Sequence, residues 1–141
     1  MSAMVVDASV VMKWYLPEIH SDAALRLLQS NYEYFAPDLL FAELGNVIWK
    51  KVRRGELAAK DGERIAADVA EVSVDSVPAR ALVVDAYPLA VATGQTLYDS
   101  LYLALAVRLN TSLVTADERL WKGIENFPAL TDHVKLLQKF A

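Results

Sequence analysis

The chain contains no cysteine. Disulfides, thiolate metal sites and cysteine nucleophiles are excluded together. Its histidines are only two, His20 and His133, too few for a histidine metal cage. Any metal would sit among oxygen ligands, which favours Mg2+ or Mn2+. Glycine is scarce, at five residues, and no Gly-rich phosphate loop is present. No apolar run approaches the roughly 18 residues of a membrane helix. The first residues lack the basic region and long apolar stretch of a signal peptide. A cytoplasmic protein without membrane association is expected. Basic residues are also in deficit, 14 against 18 acidic ones, for a net charge of −4. That balance argues against broad, charge-driven binding of nucleic acid.

Hydrophobic residues, by contrast, make up 55% of the chain. Several elements should therefore be covered on all sides, within one domain spanning residues 1–141. The high apolar content also leaves more hydrophobic surface than one small domain buries, which points to a homodimer. Met4–Val6 reads as a strand buried on both faces, ending at Asp7. A short helix or turn follows, ending near Pro17. Residues 21–30 read as a helix with Ser21 as cap. Tyr34–Ala36 reads as a strand, and Pro37-Asp38 opens a helix running to Gly55. Residues 58–72 form a second amphipathic helix, so 38–72 reads as a helical hairpin. Val72–Val77 alternates like a strand. Pro78 starts a helix reaching Gly94, with a kink or break expected at Pro88. Thr96–Leu109 is a strongly apolar helix, Ser112–Thr115 a strand, Asp117–Glu125 a short helix and Val134–Leu137 a last strand. Strands alternating with helices predict an α/β fold, a parallel sheet covered on both faces.

Most of the acids lie in polar surroundings. Asp7, Glu43, Asp85 and Asp99 instead sit inside apolar runs, and Asp117 directly follows a buried strand. Burying an ionised carboxylate is costly unless it is paired or bound to metal. Asp7 is either an N-cap or part of a site, because ligands bind at the C-terminal strand ends of open parallel sheets. Thr96 to Asp99 resembles a capping box, and Thr115 to Glu118 offers a similar one. Glu43 is not explained by capping. On a helical wheel Phe41, Leu44, Gly45, Ile48 and Val52 share one face, taken as the core. Glu43 falls opposite, near Leu39 and Val47. Asn46 lies one turn on, and Lys50 and Arg54 continue that side. Lys50 is roughly 10 Å along the helix from Glu43. This layout suits a metal site with a phosphate track, or else a solvated face with a basic last turn. Asp85 reads as an exposed or interface position. Several carboxylates converging without a cation would repel, raising at least one pKa, and a divalent ion removes that conflict.

Four segments in order, VVDASVVMKWYLPE, PDLLFAELGNVIWKKVRRG, TLYDSLYLALAV and LVTADERL, resemble a PIN-domain ribonuclease, specifically a VapC-type toxin of a toxin–antitoxin module. The resemblance covers essentially the whole chain. It implies an α/β/α sandwich with a central parallel sheet. The family's acidic quartet falls on Asp7, Glu43, Asp99 and Asp117, as catalytic groups and metal ligands, at successive spacings of 36, 56 and 18 positions. Ser9 and Thr115 occupy positions where the family often carries a hydroxyl, and Asn46 matches a polar residue three after the Glu. The resemblance further implies an RNA substrate, a homodimer, and a VapB-type antitoxin whose C-terminal segment covers the site. Metal held by the quartet would orient a water for in-line attack on an RNA phosphodiester, leaving a 5′-phosphate and a 3′-hydroxyl. The alternatives are a non-catalytic PIN-like module for RNA binding or dimerisation, a receiver-like phospho-acceptor domain, and a DNA-directed nuclease. The receiver pattern fits poorly, because Ala8-Ser9 follow Asp7 and Lys135 lacks the matching strand–loop context.

Overall fold

Five short apolar segments of this chain assemble into a single parallel sheet in the computed structural model, which describes residues 2–140. The strands are β1 (Ser2–Val6), β2 (Tyr32–Pro37), β3 (Asp75–Val77), β4 (Leu113–Thr115) and β5 (Val134–Leu136), in the spatial order β3-β2-β1-β4-β5. Every neighbouring pair runs parallel. The helices are α1 (Ala8–Val11), α2 (Ser21–Leu28), α3 (Leu39–Arg53), α4 (Ala59–Ala70), α5 (Val83–Thr93), α6 (Leu97–Arg108), α7 (Glu118–Ile124) and α8 (Pro128–Thr131). They cover both faces of the sheet, giving the α/β/α sandwich.

β1 is central, and Met4, Val5 and Val6 are buried, as a strand covered on both faces must be. α6 is the most enclosed helix, with every residue from Ser100 to Ala106 buried. Its nearly all-apolar sequence therefore needs no polar face. α3 and α4 pack as a hairpin, and Gly62 permits their close approach. A Cβ there would lie 2.8 Å from Val52 Cγ2 and 3.4 Å from Ile48 Cγ2.

Several expectations need correction. α5 is not broken at Pro88 but continues through it, although the ring removes one amide donor. The break comes earlier, where residues 79–81 form a 3-10 turn. Ser21 does not cap α2. His20 holds that position in the left-handed region at φ 67°, while the Ser21 hydroxyl accepts from the Glu18 amide at 2.8 Å. β3 is shorter than the alternating stretch 72–77, and a 3-10 turn at 137–139 ends β5 one residue early.

The core face of α3 is also rotated from the expected one. Its buried residues are Leu40, Leu44 and Ile48, with Leu39 and Val47 partly buried against the same core. Gly45 is exposed. Glu43 therefore borders the buried stripe instead of lying opposite it. The wheel misleads because apolar residues flank α3 on both margins, and only the neighbouring helices select one of them.

Candidate active site

Asp7 and Asp117 emerge from adjacent strands at one edge of the sheet. Val6 pairs with Val114 across β1 and β4, so Asp7 follows β1 where Thr115 ends β4. Two hydroxyls tie this edge together. Ser9 Oγ donates to Asp7 Oδ1 at 2.5 Å and accepts from the Ala116 amide at 3.0 Å. It also lies 3.4 Å from Thr115 Oγ1, which accepts from the Asp117 amide at 3.1 Å. Ser9 and the buried Thr115 thus position the two carboxylates and the loop that joins them to the sheet.

Both acids are also N-caps. Asp7 Oδ1 accepts from the Val10 amide at 3.3 Å, and Asp117 Oδ1 from the amides of Arg119 at 2.9 Å and Leu120 at 3.4 Å. The expected Thr115-to-Glu118 capping box is absent. Asp117 itself caps α7, and Glu118 Oε1 accepts from Gln138 Nε2 at 3.2 Å. The box at α6 is present in its first half, since the Asp99 amide donates to Thr96 Oγ1 at 3.1 Å. That bond fixes Asp99 in the first turn of α6.

Glu43 is half-buried, and its Oε1 accepts from the Tyr102 hydroxyl at 2.6 Å. Nothing in the sequence reading singled out Tyr102. The available signal was a phenol three residues after Asp99 in an otherwise apolar helix, where a buried hydroxyl needs a partner. Burial and the Glu43 carboxylate push the Tyr102 phenol well above its ordinary range, so it stays a donor.

The four acids feel one another. Burial raises Asp7 from the ordinary 3.8 to about 6. The residue keeps some exposed surface, but protein surrounds its carboxyl group. Ser9, Thr115 and the Val10 amide oppose that rise, and the charge of Glu43 adds to it. Glu43 is itself raised, by burial and then by Asp99, against the Tyr102 hydrogen bond. Asp99 is raised by burial and then by Asp117, partly offset by Thr96 and Arg119. Each acid therefore lies within electrostatic reach of the next: Asp7, Glu43, Asp99, Asp117.

This donor set is chemically suited to a hard divalent cation: oxygen-only, partly desolvated and mutually repelling. The side chains are not drawn into a closed array. No group of three or more His, Cys, Asp or Glu among the described residues stands ready to hold a metal ion. Glu43 is engaged by Tyr102, and Asp117 by the first amides of α7.

The remaining candidates lie outside this cluster. Asn46, Lys50 and Arg54 are exposed on α3, and no hydrogen bond or ion pair links them to the acids. Asp85 is exposed and bonded to Arg108 at 3.0 Å. Arg119 was not anticipated. Its Nε is 4.0 Å from Asp117 Oδ1, and it lines, with Asp99 and Asp117, a cavity of about 280 Å³ beside Gly94 and Thr96.

Residues 4–124 match the family model described as the PIN domain. Ribonuclease VapC3 of Pyrobaculum aerophilum is 36% identical over 129 residues, which span 90% of this chain and 96% of that protein. Among solved structures, a crystal structure of the Pyrobaculum aerophilum protein PAE2754 aligns with TM-score 0.69 at 22% identity, over 97% of this chain and 85% of that one. A toxin–antitoxin complex from Klebsiella pneumoniae contains a chain that aligns with TM-score 0.64 at 12% identity, over 95% and 97% respectively. The parallel sheet, the ordered acids at its edge and these matches agree, and the chain belongs to the PIN-domain family, related to the VapC-type toxins.

Proposed function

We propose that this protein is a metal-dependent endoribonuclease acting as the toxin of a toxin–antitoxin pair, with Asp7, Glu43, Asp99 and Asp117 as its catalytic and metal-holding groups. One observation carries the reading. Four carboxylates from β1, α3, α6 and the β4–α7 loop lie in mutual electrostatic reach, and three have raised proton affinity. A fold gains nothing from that repulsion by itself, whereas a site for Mg2+ or Mn2+ needs it.

A bound ion would supply an activated water and neutralise charge developing on the phosphate. The protein's own part is positional. Ser9 and Thr115 hold Asp7 and the Asp117 loop, Tyr102 holds Glu43, and Thr96 holds the turn carrying Asp99. Lys50 and Arg54 are assigned to the RNA backbone from their place on α3, and Asn46 to a supporting role beside Glu43. The kinship with VapC proteins supports a VapB-type antitoxin as partner. The exposed apolar side chains of α5 support a homodimer.

The test uses protein stripped of metal and incubated with mixed RNA and DNA, with and without magnesium or manganese. RNA is expected to be cut only when metal is restored. Absence of cleavage under every condition, with no metal-induced rise in melting temperature, would leave the non-catalytic PIN-like module as the better reading. The N-cap roles of Asp7 and Asp117 would then be their whole purpose.

A further inference from the structure

A second concave feature lies one helical turn from Asp117. α7 leaves Asp117 and carries Trp121, whose amide bonds back to the Asp117 carbonyl at 3.4 Å. At 1.5 Å per residue Trp121 is about 6 Å further along the helix axis. With Phe140, Lys135 and Lys139 it lines a cavity of about 210 Å³ over the edge strand β5. The volume is below that of a drug-sized pocket and suits one planar ring system, not a folded ligand.

Its chemistry is unusual for this acidic chain. Both rings are half-buried, yet they do not stack on each other. Phe140 meets Tyr32 edge-on at 6.3 Å, and Trp121 joins no aromatic pair among the described residues. Lys135 Nζ stands 5.6 Å from the centre of the Phe140 ring. Lys135 and Lys139 are exposed, and neither joins an ion pair among the described residues. The turn that carries Lys139 is tied to the acidic edge, since the neighbouring Gln138 Nε2 donates to the Ala116 carbonyl at 3.4 Å and to Glu118 Oε1 at 3.2 Å.

We infer that the Trp121–Phe140 cavity is a nucleotide subsite, in which one base of single-stranded RNA enters beside the rings and its phosphates lie on Lys135 and Lys139. Base–aromatic contact with lysines tracking the backbone is how single strands are held without sequence readout. The two lysines would hold the strand against repulsion from the acidic edge, of which Asp117 lies one helical turn before Trp121. This inference rests on the ribonuclease reading and names where its substrate continues beyond the acids.

The test pairs cleavage kinetics with equilibrium binding of a fluorescein-labelled single-stranded RNA, the latter in a chelator so that nothing is cut. The exposed double variant Lys135→Gln/Lys139→Gln should keep the wild-type melting temperature. Its KM should rise about tenfold with kcat within about twofold. The slope of log affinity against log salt should shrink by about 0.7 for each lost phosphate contact. Lys60→Gln, on α4 and outside both the acidic site and this cavity, should leave KM unchanged. RNA should quench tryptophan emission in the wild type, and Trp121→Phe should remove most of that quenching. Unchanged KM and salt slope in the double variant, or undiminished quenching in Trp121→Phe, overturns the subsite. Wild-type protein that cuts no RNA overturns the ribonuclease reading instead, and the chelated binding measurement still decides the subsite.

Discussion

Asp7 is both a helix cap and a buried acid, and substitution separates the two roles. Asp7→Asn preserves shape and removes charge. If capping were all, Asn would serve nearly as well, with a change well under about 1 kcal/mol. The raised carboxyl makes a different demand. Its folded value of about 6 exceeds the ordinary 3.8, so the folded state binds the proton more tightly than the unfolded chain. Stability is therefore greatest below about pH 4 for this group and is lost as pH rises toward about 6. In metal-free protein, Asp7→Asn should gain on the wild type across that window, by at most about 3 kcal/mol. Denaturant melts at about pH 4 and pH 7 give the difference, and a pH-independent one would show that the carboxylate is not strained. RNA cleavage and manganese-induced stabilisation should both collapse in Asp7→Asn, Asp99→Asn and Glu43→Gln, and survive in Asp85→Asn. Tyr102→Phe probes the bond to Glu43. A hydrogen bond to a charged group contributes about 1.5–3 kcal/mol, and a Glu43 freed from Tyr102 should titrate higher still. Cleavage in Tyr102→Phe should therefore show its acid limb displaced to higher pH. An unmoved limb would mean that Tyr102 serves packing alone.

The elements show which parts of this molecule are local and which are collective. β1, α6 and β4 are legible in the sequence because each is a run of apolar residues bounded by polar ones. The order of the four acids along the chain is legible for the same reason, since each interrupts or directly follows such a run. α3 is different. Its wheel carries apolar residues on both margins, and the choice of Leu40, Leu44 and Ile48 as the buried stripe is made by packing against α1, β2 and α4. The Tyr102 bond was not legible as a pair, because Glu43 lies 59 residues away, and the Trp121–Phe140 cavity forms only when α7 packs over β5. Arg119 is exposed, and no apolar run marks it in the sequence. Gly62 is a test of the hairpin. Ala in a helix is favoured over Gly by about 1 kcal/mol, but a Cβ 2.8 Å from the stiff Val52 side chain must push the helices apart, at roughly 1–3 kcal/mol. The contact should win, so Gly62→Ala should melt a few degrees lower. A rise in melting temperature would mean that α4 shifts freely on α3.

At the scale of the whole molecule, the feature without an internal explanation is α5. It is apolar on every side, yet only Ala86 is buried. Val84 is 81% exposed, Val91 68% and Tyr87 63%. With Pro88, these recur at three- and four-residue spacing and form one outward stripe. The exposed Asp85–Arg108 pair at its border contributes little to the monomer. A contiguous apolar stripe rimmed by charge is what an interface between copies requires. Sedimentation at micromolar concentration should give twice the 15.6 kDa chain mass. The double change Val84→Asp/Val91→Asp should return the protein to the monomer mass. The exposed side chains contribute little to the monomer's own core, so the variant should remain folded, with any loss of melting temperature proportional to the lost association and dependent on concentration. Wild-type protein sedimenting only as monomer, or a double variant that still dimerises, would move the interface away from α5.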